Sequence, residues 1–314
     1  MRPTRVVVAL GGNALLRKGA PASAEEQLSV VYKTSEYLAE MSYRGNELAI
    51  VHGNGPQVGN IVLTSENSAD IVPPMPLDVC GAMSQGYIGY HIQQALRFCL
   101  LQKSRNIPVT TIVTQVVVCK DDPAFDNPSK PIGPFYSKEE AGKIAREKGY
   151  IMANETGRGW RRVVASPVPQ RIVEFSCLKE LWDTTIVITA GGGGIPVIEA
   201  EDGSLQGIAA VIDKDLAASR LASDIEADIL MILTEVDKVA LNFNQPDQKD
   251  LDHICVEEAE KYIKEGHFAP GSMLPKIQAA VAYVKENPGK KAIITSLFNS
   301  IKALDEETGT LITS

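Results

Sequence analysis

The sequence lacks the motifs by which the common nucleotide-binding and hydrolytic enzymes are recognised. It has no GxxxxGK[ST] motif, which excludes a P-loop NTPase, and it has no GxSxG, HExxH or HRD motif. Gly53, Gly55 and Gly59 miss the GxGxxG spacing by one residue, which disfavours a dinucleotide-binding domain. Any phosphate chemistry in this chain must therefore use another scaffold.

Basic charge, long apolar runs and paired cysteines are also scarce. The 314 residues carry a net charge of -8, which argues against a nucleic-acid-binding scaffold, because a phosphate backbone needs a basic face. No run approaches the roughly 18 apolar residues of a membrane span, and the apolar start is too short for a signal peptide. The cysteines are dispersed without a CxxC motif and are typical of reduced core thiols: Cys80, Cys99, Cys119, Cys177 and Cys255. We therefore expect a cytoplasmic protein with no membrane partner and no nucleic-acid partner.

Short apolar, β-branched runs recur along the chain without polar alternation. Such runs are typical of strands buried on both faces of a parallel sheet. They lie at Arg5–Leu10, Leu48–Val51, Val109–Val118, Thr185–Thr189, Ile229–Leu233 and Ala292–Thr295. Helical patterns lie between most of them, including one from Ser23 to about Arg44 and one ending near Gln102. The alternation predicts a parallel sheet with covered faces, and irregular strand spacing disfavours the alternative of an eight-fold barrel.

A long polar segment interrupts this alternation between Lys120 and about Gln170. It is rich in proline, glycine and charged residues. It is either a surface insertion or a lid-like subdomain over the site, since long ordered insertions often act as lids or binding loops.

Three glycine clusters each follow a predicted buried strand. They are Gly11–Ala14, His52–Gly59 and Gly191–Gly194. In an open α/β sheet, ligands bind beyond the carboxyl ends of the strands. Glycine turns at that edge bring backbone N–H groups together with little side-chain bulk and so hold oxyanions. One such cluster is a common packing feature, whereas three together indicate an anion site.

Three lysines are candidates for binding phosphate, and two of them, Lys130 and Lys276, lie beside proline. Lys130 lies between two prolines, Lys214 enters a predicted helix, and Lys276 begins another. A single lysine is most often a surface charge, but lysines at such helix starts favour phosphate recognition. Asp213 and Asp215 flank Lys214 and are expected to orient lysines, to hold magnesium through water, or simply to cap the helix. No histidine spacing indicates a metal site.

These motifs together resemble the carbamate kinase branch of the amino-acid-kinase family over essentially the whole chain. The resemblance is carried by Ala9–Leu16, His52–Asn60, Pro76–Tyr90, Asp121–Ser137, Gly157–Pro167, Gly191–Val197, Val211–Ala218 and His267–Lys276. The segments 121–137 and 157–164 are specific to this branch. The others are shared more widely with the family.

The resemblance implies a three-layer α/β/α sandwich with a central, mainly parallel eight-stranded sheet and a protruding subdomain. An N-terminal acceptor lobe would comprise residues 1–119 and 171–212, the protruding subdomain 120–170, and a C-terminal nucleotide lobe 213–314. The implied protein is a homodimer. Its implied reaction is ATP + carbamate ⇌ ADP + carbamoyl phosphate, with Mg²⁺ carried by the nucleotide and with ATP formed during fermentative arginine catabolism.

The resemblance also implies roles for individual residues, each transferred by position. The residues implied in catalysis are Gly11, Asn13, Lys130, Lys214 and Asp215. Those implied in substrate binding are Gly12, Gly53, Asn54, Gly55, Gln57, Gly192 and Gly193. Those implied in nucleotide binding are Leu233, Thr234, Val236, Asp237, Pro270, Gly271, Ser272, Met273 and Lys276. No protein ligand for a metal is expected.

Two residues depart from the resemblance. Glu235 stands where a small residue is expected, and Ala240 stands where an aromatic residue is expected nearby. Both belong to the implied wall of the nucleotide pocket, so they concern base preference and affinity rather than the type of reaction.

Two other functions stay open. A related kinase with a larger acceptor would need a further recognition group, such as an arginine for an α-carboxylate. A non-catalytic ligand sensor on the same fold would have lost charge at the phosphate site. The charged residues Lys130, Lys214, Asp215 and Lys276 are all present, which disfavours the sensor.

Overall fold

The computed structural model describes residues 2–17, 19–155 and 157–314. Its strands are β1 (Arg5–Leu10), β2 (Glu47–His52), β3 (Val109–Thr111), β4 (Gln115–Val118), β5 (Lys130–Tyr136), β6 (Met152–Glu155), β7 (Gly159–Val164), β8 (Pro169–Ile172), β9 (Ile186–Ile188), β10 (Ile195–Glu199), β11 (Leu205–Gly207), β12 (Ile229–Thr234), β13 (Val239–Leu241), β14 (Lys249–Leu251), β15 (His253–Cys255), β16 (Lys291–Ser296) and β17 (Thr310–Thr313). Its helices are α1 (Ala24–Tyr43), α2 (Gly55–Asn67), α3 (Leu77–Gln102), α4 (Lys138–Lys148), α5 (Phe175–Leu181), α6 (Lys214–Asp224), α7 (Val256–Lys264), α8 (Met273–Glu286) and α9 (Ser300–Leu304).

Eight strands form the central sheet in the order β15-β17-β16-β12-β1-β2-β9-β3. Neighbouring strands are parallel except β16 and β17, which are antiparallel. The apolar run of β1 lies at the centre, with the side chains from Val6 to Leu10 fully buried. The prediction of a mainly parallel eight-stranded sheet is confirmed.

Helices cover both faces of the sheet, which accounts for the absence of polar alternation in its strands. On one face, Val7 and Ala9 belong to a core with α6 and α8. On the other face, Val6, Val8 and Leu10 belong to a second core with α1 and α3. The predicted three-layer α/β/α sandwich is therefore also confirmed.

The prediction of one continuous strand at Val109–Val118 is wrong. The run Val109–Val118 divides into β3, which joins the central sheet, and β4, which joins a separate four-stranded sheet of order β11-β10-β4-β8. The chain turns at Thr114, whose backbone N–H donates to Gln85 Oε1 over 2.8 Å and whose hydroxyl lies 2.8 Å from that of Thr189. These polar contacts are long-range and leave no mark on the local hydrophobic pattern.

The polar segment after Lys120 is ordered. Strands β5, β7 and β6 form a three-stranded antiparallel sheet, with α4 packed against it. The helix α4 begins with a capping box at Ser137 and Glu140, and it ends at Gly149, whose φ is +68°. This unit of β5, α4, β6 and β7 is called the protruding subdomain below. The proposed boundaries of the two lobes stay predictions.

The prediction that the cysteines are core thiols holds for part of the set. Cys80 and Cys99 are buried, Cys119 and Cys255 are half-buried, and Cys177 is exposed on α5, so for Cys177 the prediction is wrong. Spacing along the chain does not report which side of a short helix faces solvent. No helix among the described residues is long and apolar enough to cross a membrane.

Candidate active site

Three glycine turns meet at one edge of the central sheet. They follow β1, β2 and β9, which are neighbours in the sheet, so the turns themselves are brought side by side. The first turn passes close to the end of β12, where a Cβ added at Gly11 would lie 2.9 Å from the carbonyl oxygen of Leu233. Parallel strands thus place the predicted glycine clusters together.

The third turn needs glycine for reasons of both space and conformation. Gly192 and Gly193 have φ angles of +67° and +91°, which side-chain-bearing residues rarely adopt. A Cβ at Gly192 would lie 2.1 Å from Asn54 Nδ2, and one at Gly193 would lie 2.2 Å from the Ile212 oxygen. Asn54 Nδ2 in turn donates to Ser84 Oγ over 2.7 Å. The second and third turns are therefore interlocked.

A cluster of lysines lies against the start of α6. Asp215 is 2% exposed, and its two oxygens accept hydrogen bonds from Lys214 Nζ at 2.6 Å and Lys276 Nζ at 2.8 Å. Asp213 binds Lys130 Nζ at 2.5 Å through one oxygen, and its other oxygen accepts from the backbone N–H of Asp215 at 2.9 Å. Asp213 therefore caps the helix and holds a lysine, while Asp215 binds the other two.

This cluster is electrostatically set to receive an anion. Burial raises the pKa of Asp215, but the charges of Lys214 and Lys276 lower it by more, to about 2. Burial lowers the pKa of Lys214, and for Lys276 the effect of burial is outweighed by Asp215, which raises its pKa. Three ammonium groups face two carboxylates, so one positive charge is in excess. An oxyanion is the natural partner for that charge.

A cavity of about 580 Å³ adjoins the lysine cluster, large enough for a nucleotide. The first glycine turn, Lys214 and Lys276 form one wall. The predicted nucleotide-binding residues that line it are Leu233, Thr234, Val236, Ser272, Met273 and Lys276. Asp237, Pro270 and Gly271 are not among its lining residues, although they flank ones that are, and their assignment stays a prediction.

Several residues of this cavity could not be identified from the sequence. Phe243 and Phe298 line it while being 52% and 75% exposed, and no sequence motif distinguishes them from aromatic core residues. Glu235 and Ala240, the two departures from the resemblance, also line it. Glu235 Oε1 accepts a hydrogen bond from Asn13 Nδ2 over 2.5 Å. The unexpected carboxylate therefore contacts the first glycine turn directly.

The second glycine turn leads into α2 and lies against Lys214. Gly53 lies against the stem of Lys214, where an added Cβ would be 3.4 Å from its Cδ. Gln57 is 3% exposed, and its Nε2 donates over 3.2 Å to Gln27 Oε1, which also accepts from the Tyr87 hydroxyl at 3.1 Å. Gln27 and Tyr87 were missed because they lie on other helices, far away in sequence. Gln57 Oε1 has no partner within the described part of the chain.

His52 is buried behind these turns. Its Nδ1 lies 2.9 Å from the carbonyl oxygen of Gly53 and so must donate to it, which leaves Nε2 unprotonated. An added Cβ at Gly191 would lie 2.4 Å from Nε2. Burial lowers the pKa of His52 to about 4, so the ring is neutral at physiological pH and supports the turns as an uncharged group.

The fold and the site together define a class of protein: an α/β/α phosphotransferase that has strand-end glycine turns and clustered lysines and lacks a P-loop. The chain belongs to the amino acid kinase family, whose model matches residues 4–296, and within it to the carbamate kinase branch.

Proteins named carbamate kinase resemble the chain over nearly its full length. One from Pyrococcus horikoshii is 50% identical and covers 99% of each chain. One from Clostridium perfringens is 52% identical, covering 98% of this chain and 99% of its own. The solved structure of carbamate kinase from Giardia lamblia bound to AMP-PNP is 42% identical, with a TM-score of 0.92 over 99% of this chain and 98% of that one.

Proposed function

We propose that the chain catalyses the reversible reaction ATP + carbamate ⇌ ADP + carbamoyl phosphate. The observation that carries this proposal is the lysine cluster on residues 213–215, which lies between a nucleotide-sized cavity and the glycine turns of the acceptor side. Relatives named carbamate kinase support the choice of acceptor.

The residues divide between the two substrates. The nucleotide would occupy the cavity with its phosphates at Lys276, Lys214 and the turn Gly11–Asn13. The acceptor would lie at Gly53, Asn54 and Gln57, under Lys130. We assign the nucleotide to a lobe of residues 213–314 and the acceptor to 1–119 and 171–212, as the sequence predicted.

The site contains lysines and backbone donors where other enzymes would need a base. Carbamate already bears an anionic oxygen, so no proton has to be removed before it attacks the γ-phosphorus. Phosphoryl transfer depends mainly on alignment and on stabilisation of charge. Asp213 and Asp215 hold the lysines in place before substrate binds, so little reorganisation remains to be done.

We propose that Mg²⁺ enters with the nucleotide. Within the described residues, no group of three or more His, Cys, Asp or Glu side chains is placed to hold a metal. Asp213 and Asp215 already bind lysines, and Glu235 is a carboxylate that lines the cavity. This donor set fits a metal held mainly by phosphate oxygens and water, where it would neutralise phosphate charge. ATP formation that continues in excess EDTA would contradict this.

The experiment that tests the function mixes the purified protein with ADP, Mg²⁺ and carbamoyl phosphate and follows ATP with luciferase. We expect sustained ATP formation that depends on carbamoyl phosphate. Lys214→Ala, purified in parallel, should form almost none, which excludes a contaminating kinase. Absence of ATP with the intact protein would overturn the proposal and favour a larger acceptor. ADP binding by calorimetry without turnover of any acyl phosphate would favour a sensor.

We further propose that the protein is a homodimer. Helix α3 exposes an apolar stripe whose members Val79, Met83, Tyr90 and Phe98 are 38%, 50%, 58% and 50% exposed. Exposed apolar patches of this kind mark interaction surfaces, and a second copy would cover this one. Light scattering should give twice the chain mass, and Met83→Glu with Tyr90→Glu should give the single-chain mass. A monomeric wild-type protein would contradict this.

The cellular role is proposed as cytoplasmic ATP formation during fermentative arginine breakdown. It rests on the implied reaction and on the resemblance. Cells that lack the gene should yield less ATP when grown anaerobically on arginine. An unchanged ATP yield would point to carbamoyl phosphate synthesis instead.

A further inference from the structure

One carboxylate on α2 gathers three side chains of the protruding subdomain. Glu66 accepts hydrogen bonds from Lys148 Nζ and from the Tyr150 hydroxyl, and Arg162 Nη1 lies 3.8 Å from its Oε1. The guanidinium of Arg162 also lies 3.5 Å from the centre of the Tyr150 ring. The side chains of Glu66 and Arg162 are 16% and 17% exposed and so are largely shielded from solvent, whereas that of Lys148 is 39% exposed. This cluster of Glu66, Lys148, Tyr150 and Arg162 is called the Glu66 latch below.

Beside the latch, the backbones of α2 and β5 touch. A Cβ added at Gly59 would lie 2.2 Å from the Cα of Gly133, whose own φ is +73°. This contact restrains how near the subdomain lies to α2 but has no directional bonds. The Glu66 latch, one to two turns further along α2, supplies the directional contacts.

The latch is connected to Lys130 through the small sheet. Arg162 on β7 is paired with Ile132 on β5, and Val164 is paired with Lys130 itself. Arg162, which contacts Glu66, therefore lies two positions along β7 from Val164, the residue paired with Lys130. At the other end of the same helix, α2 begins beside Asn54, so one rigid element joins the latch to the acceptor turn.

We propose that Glu66 is a positioning residue for the acceptor: it orients the protruding subdomain on α2 so that Lys130 reaches Asp213 and the acceptor site. This inference rests on the proposed function. An acid is required at this position because two cations and a hydroxyl donor converge on one side chain. A neutral amide accepts at a single oxygen and cannot offset two charges.

The subdomain offers a matched control. Glu155 also binds two arginines, with Arg158 and Arg161 both at 3.3 Å, but all three residues belong to the subdomain. Glu155→Gln removes a carboxylate from the same unit without touching its attachment to α2. Both variants replace a glutamate by glutamine, but only Glu66→Gln changes a contact between the subdomain and α2.

The test compares Glu66→Gln and Glu155→Gln in the ATP-forming reaction. For Glu66→Gln we expect the KM for carbamoyl phosphate to rise about tenfold or more, because charged hydrogen bonds that orient Lys130 are lost. The KM for ADP should stay within about twofold of the wild type, since the nucleotide side is held by the core and lies away from the substitution. Glu155→Gln should match the wild type in both.

A second measurement does not depend on turnover. Hydrogen exchange of the amides of residues 130–164, without substrate, should be faster in Glu66→Gln than in Glu155→Gln, while the central sheet is unchanged. Equal exchange in the two variants would overturn the inference. So would equal kinetics, or a parallel rise of both KM values. An inactive wild-type protein with the expected exchange difference would instead count against the proposed function alone.

Discussion

The lysines of the site are held in two different ways. Lys214 and Lys276 are 12% and 14% exposed and both bind Asp215, on helices whose inner faces form part of the main core. Lys130 is 29% exposed and binds Asp213 from a strand of the protruding subdomain. Lys214 and Lys276 are thus fixed by the core, whereas the position of Lys130 depends on how a small subdomain is attached.

The two sets of contacts differ in the elements that carry them. Helices α6 and α8 pack against each other and against the central sheet, and they bring Lys214 and Lys276 to Asp215. Lys130 reaches Asp213 from the protruding subdomain. We expect a site divided in this way to hold the nucleotide in a rigid half, formed around Lys214 and Lys276. The acceptor would be held in an adjustable half, formed around Lys130.

The largest expected effect comes from Lys214→Met, which removes one of the two lysines that bind Asp215 in the rigid half. Loss of a cation that stabilises transferring phosphate should lower kcat/KM by about 10³-fold. It should also lower the free energy of unfolding by about 1–3 kcal/mol, because buried Asp215 loses one of its two partners. Steady-state kinetics and urea unfolding measure the two effects. Full activity would remove Lys214 from the mechanism.

A second test uses pH and concerns His52, which lies behind the second and third glycine turns. Its pKa is about 4 when folded and ordinarily about 6.5, so its contribution to stability is complete above pH 6.5 and disappears as the pH falls toward 4. The loss should approach about 3 kcal/mol. Unfolding free energies between pH 7 and 4 should therefore fall more steeply for the wild type than for His52→Gln. Parallel pH profiles would show that His52 does not titrate in this range.

Lys130→Met should impair the adjustable half of the site and leave the half around Lys214 and Lys276 intact. We expect kcat/KM for carbamoyl phosphate to fall about 10²-fold, because a cation at the acceptor is lost. The unfolding temperature and the KM for ADP should stay near wild type, since Asp213 keeps its helix-capping bond from the backbone N–H of Asp215. A large stability loss would mean that the two halves are not as separate as their contacts indicate.

Substitution of Glu235 gives the smallest expected effect and tests its contact with Asn13 in the first glycine turn. Glu235→Ala should lower kcat about fivefold, because Asn13 loses the hydrogen bond that holds it over the cavity. Glu235→Gln keeps an acceptor for Asn13 and should retain kcat. If both variants lose activity equally, the charge of Glu235 matters and not its hydrogen bond.

Much of the fold was predictable because its causes are local. The strands around Val7, Ile50 and Ile293 are continuous apolar runs since both of their faces are covered, and their positions agree with the predicted ones. The prediction failed at Val109–Val118, where distant polar partners of Thr114 split an equally apolar run between two sheets.

The candidate site was predictable in part. Its glycine turns were found because three glycine clusters after buried strands rarely coincide by chance. Its lysines were found because Lys130 and Lys276 lie beside proline and Lys214 lies between two aspartates at a helix start. Which aspartate binds which lysine could not be read from the motif, since Lys214, Lys276 and Lys130 come from three separate segments. Phe243, Phe298 and the Gln27–Gln57 contact could not be predicted for the same reason.

The sequence by itself determined the covered parallel sheet, the strand-end glycine turns and the family, because apolar runs, glycine clusters and linear motifs are properties of neighbouring residues. Only the tertiary structure decided that two aspartates two residues apart collect three lysines. It also decided that Glu66 joins the protruding subdomain to α2. The reason is physical: charge pairing depends on distance in space, and residues 66, 148 and 162 become neighbours only when the sheet and its subdomain have formed.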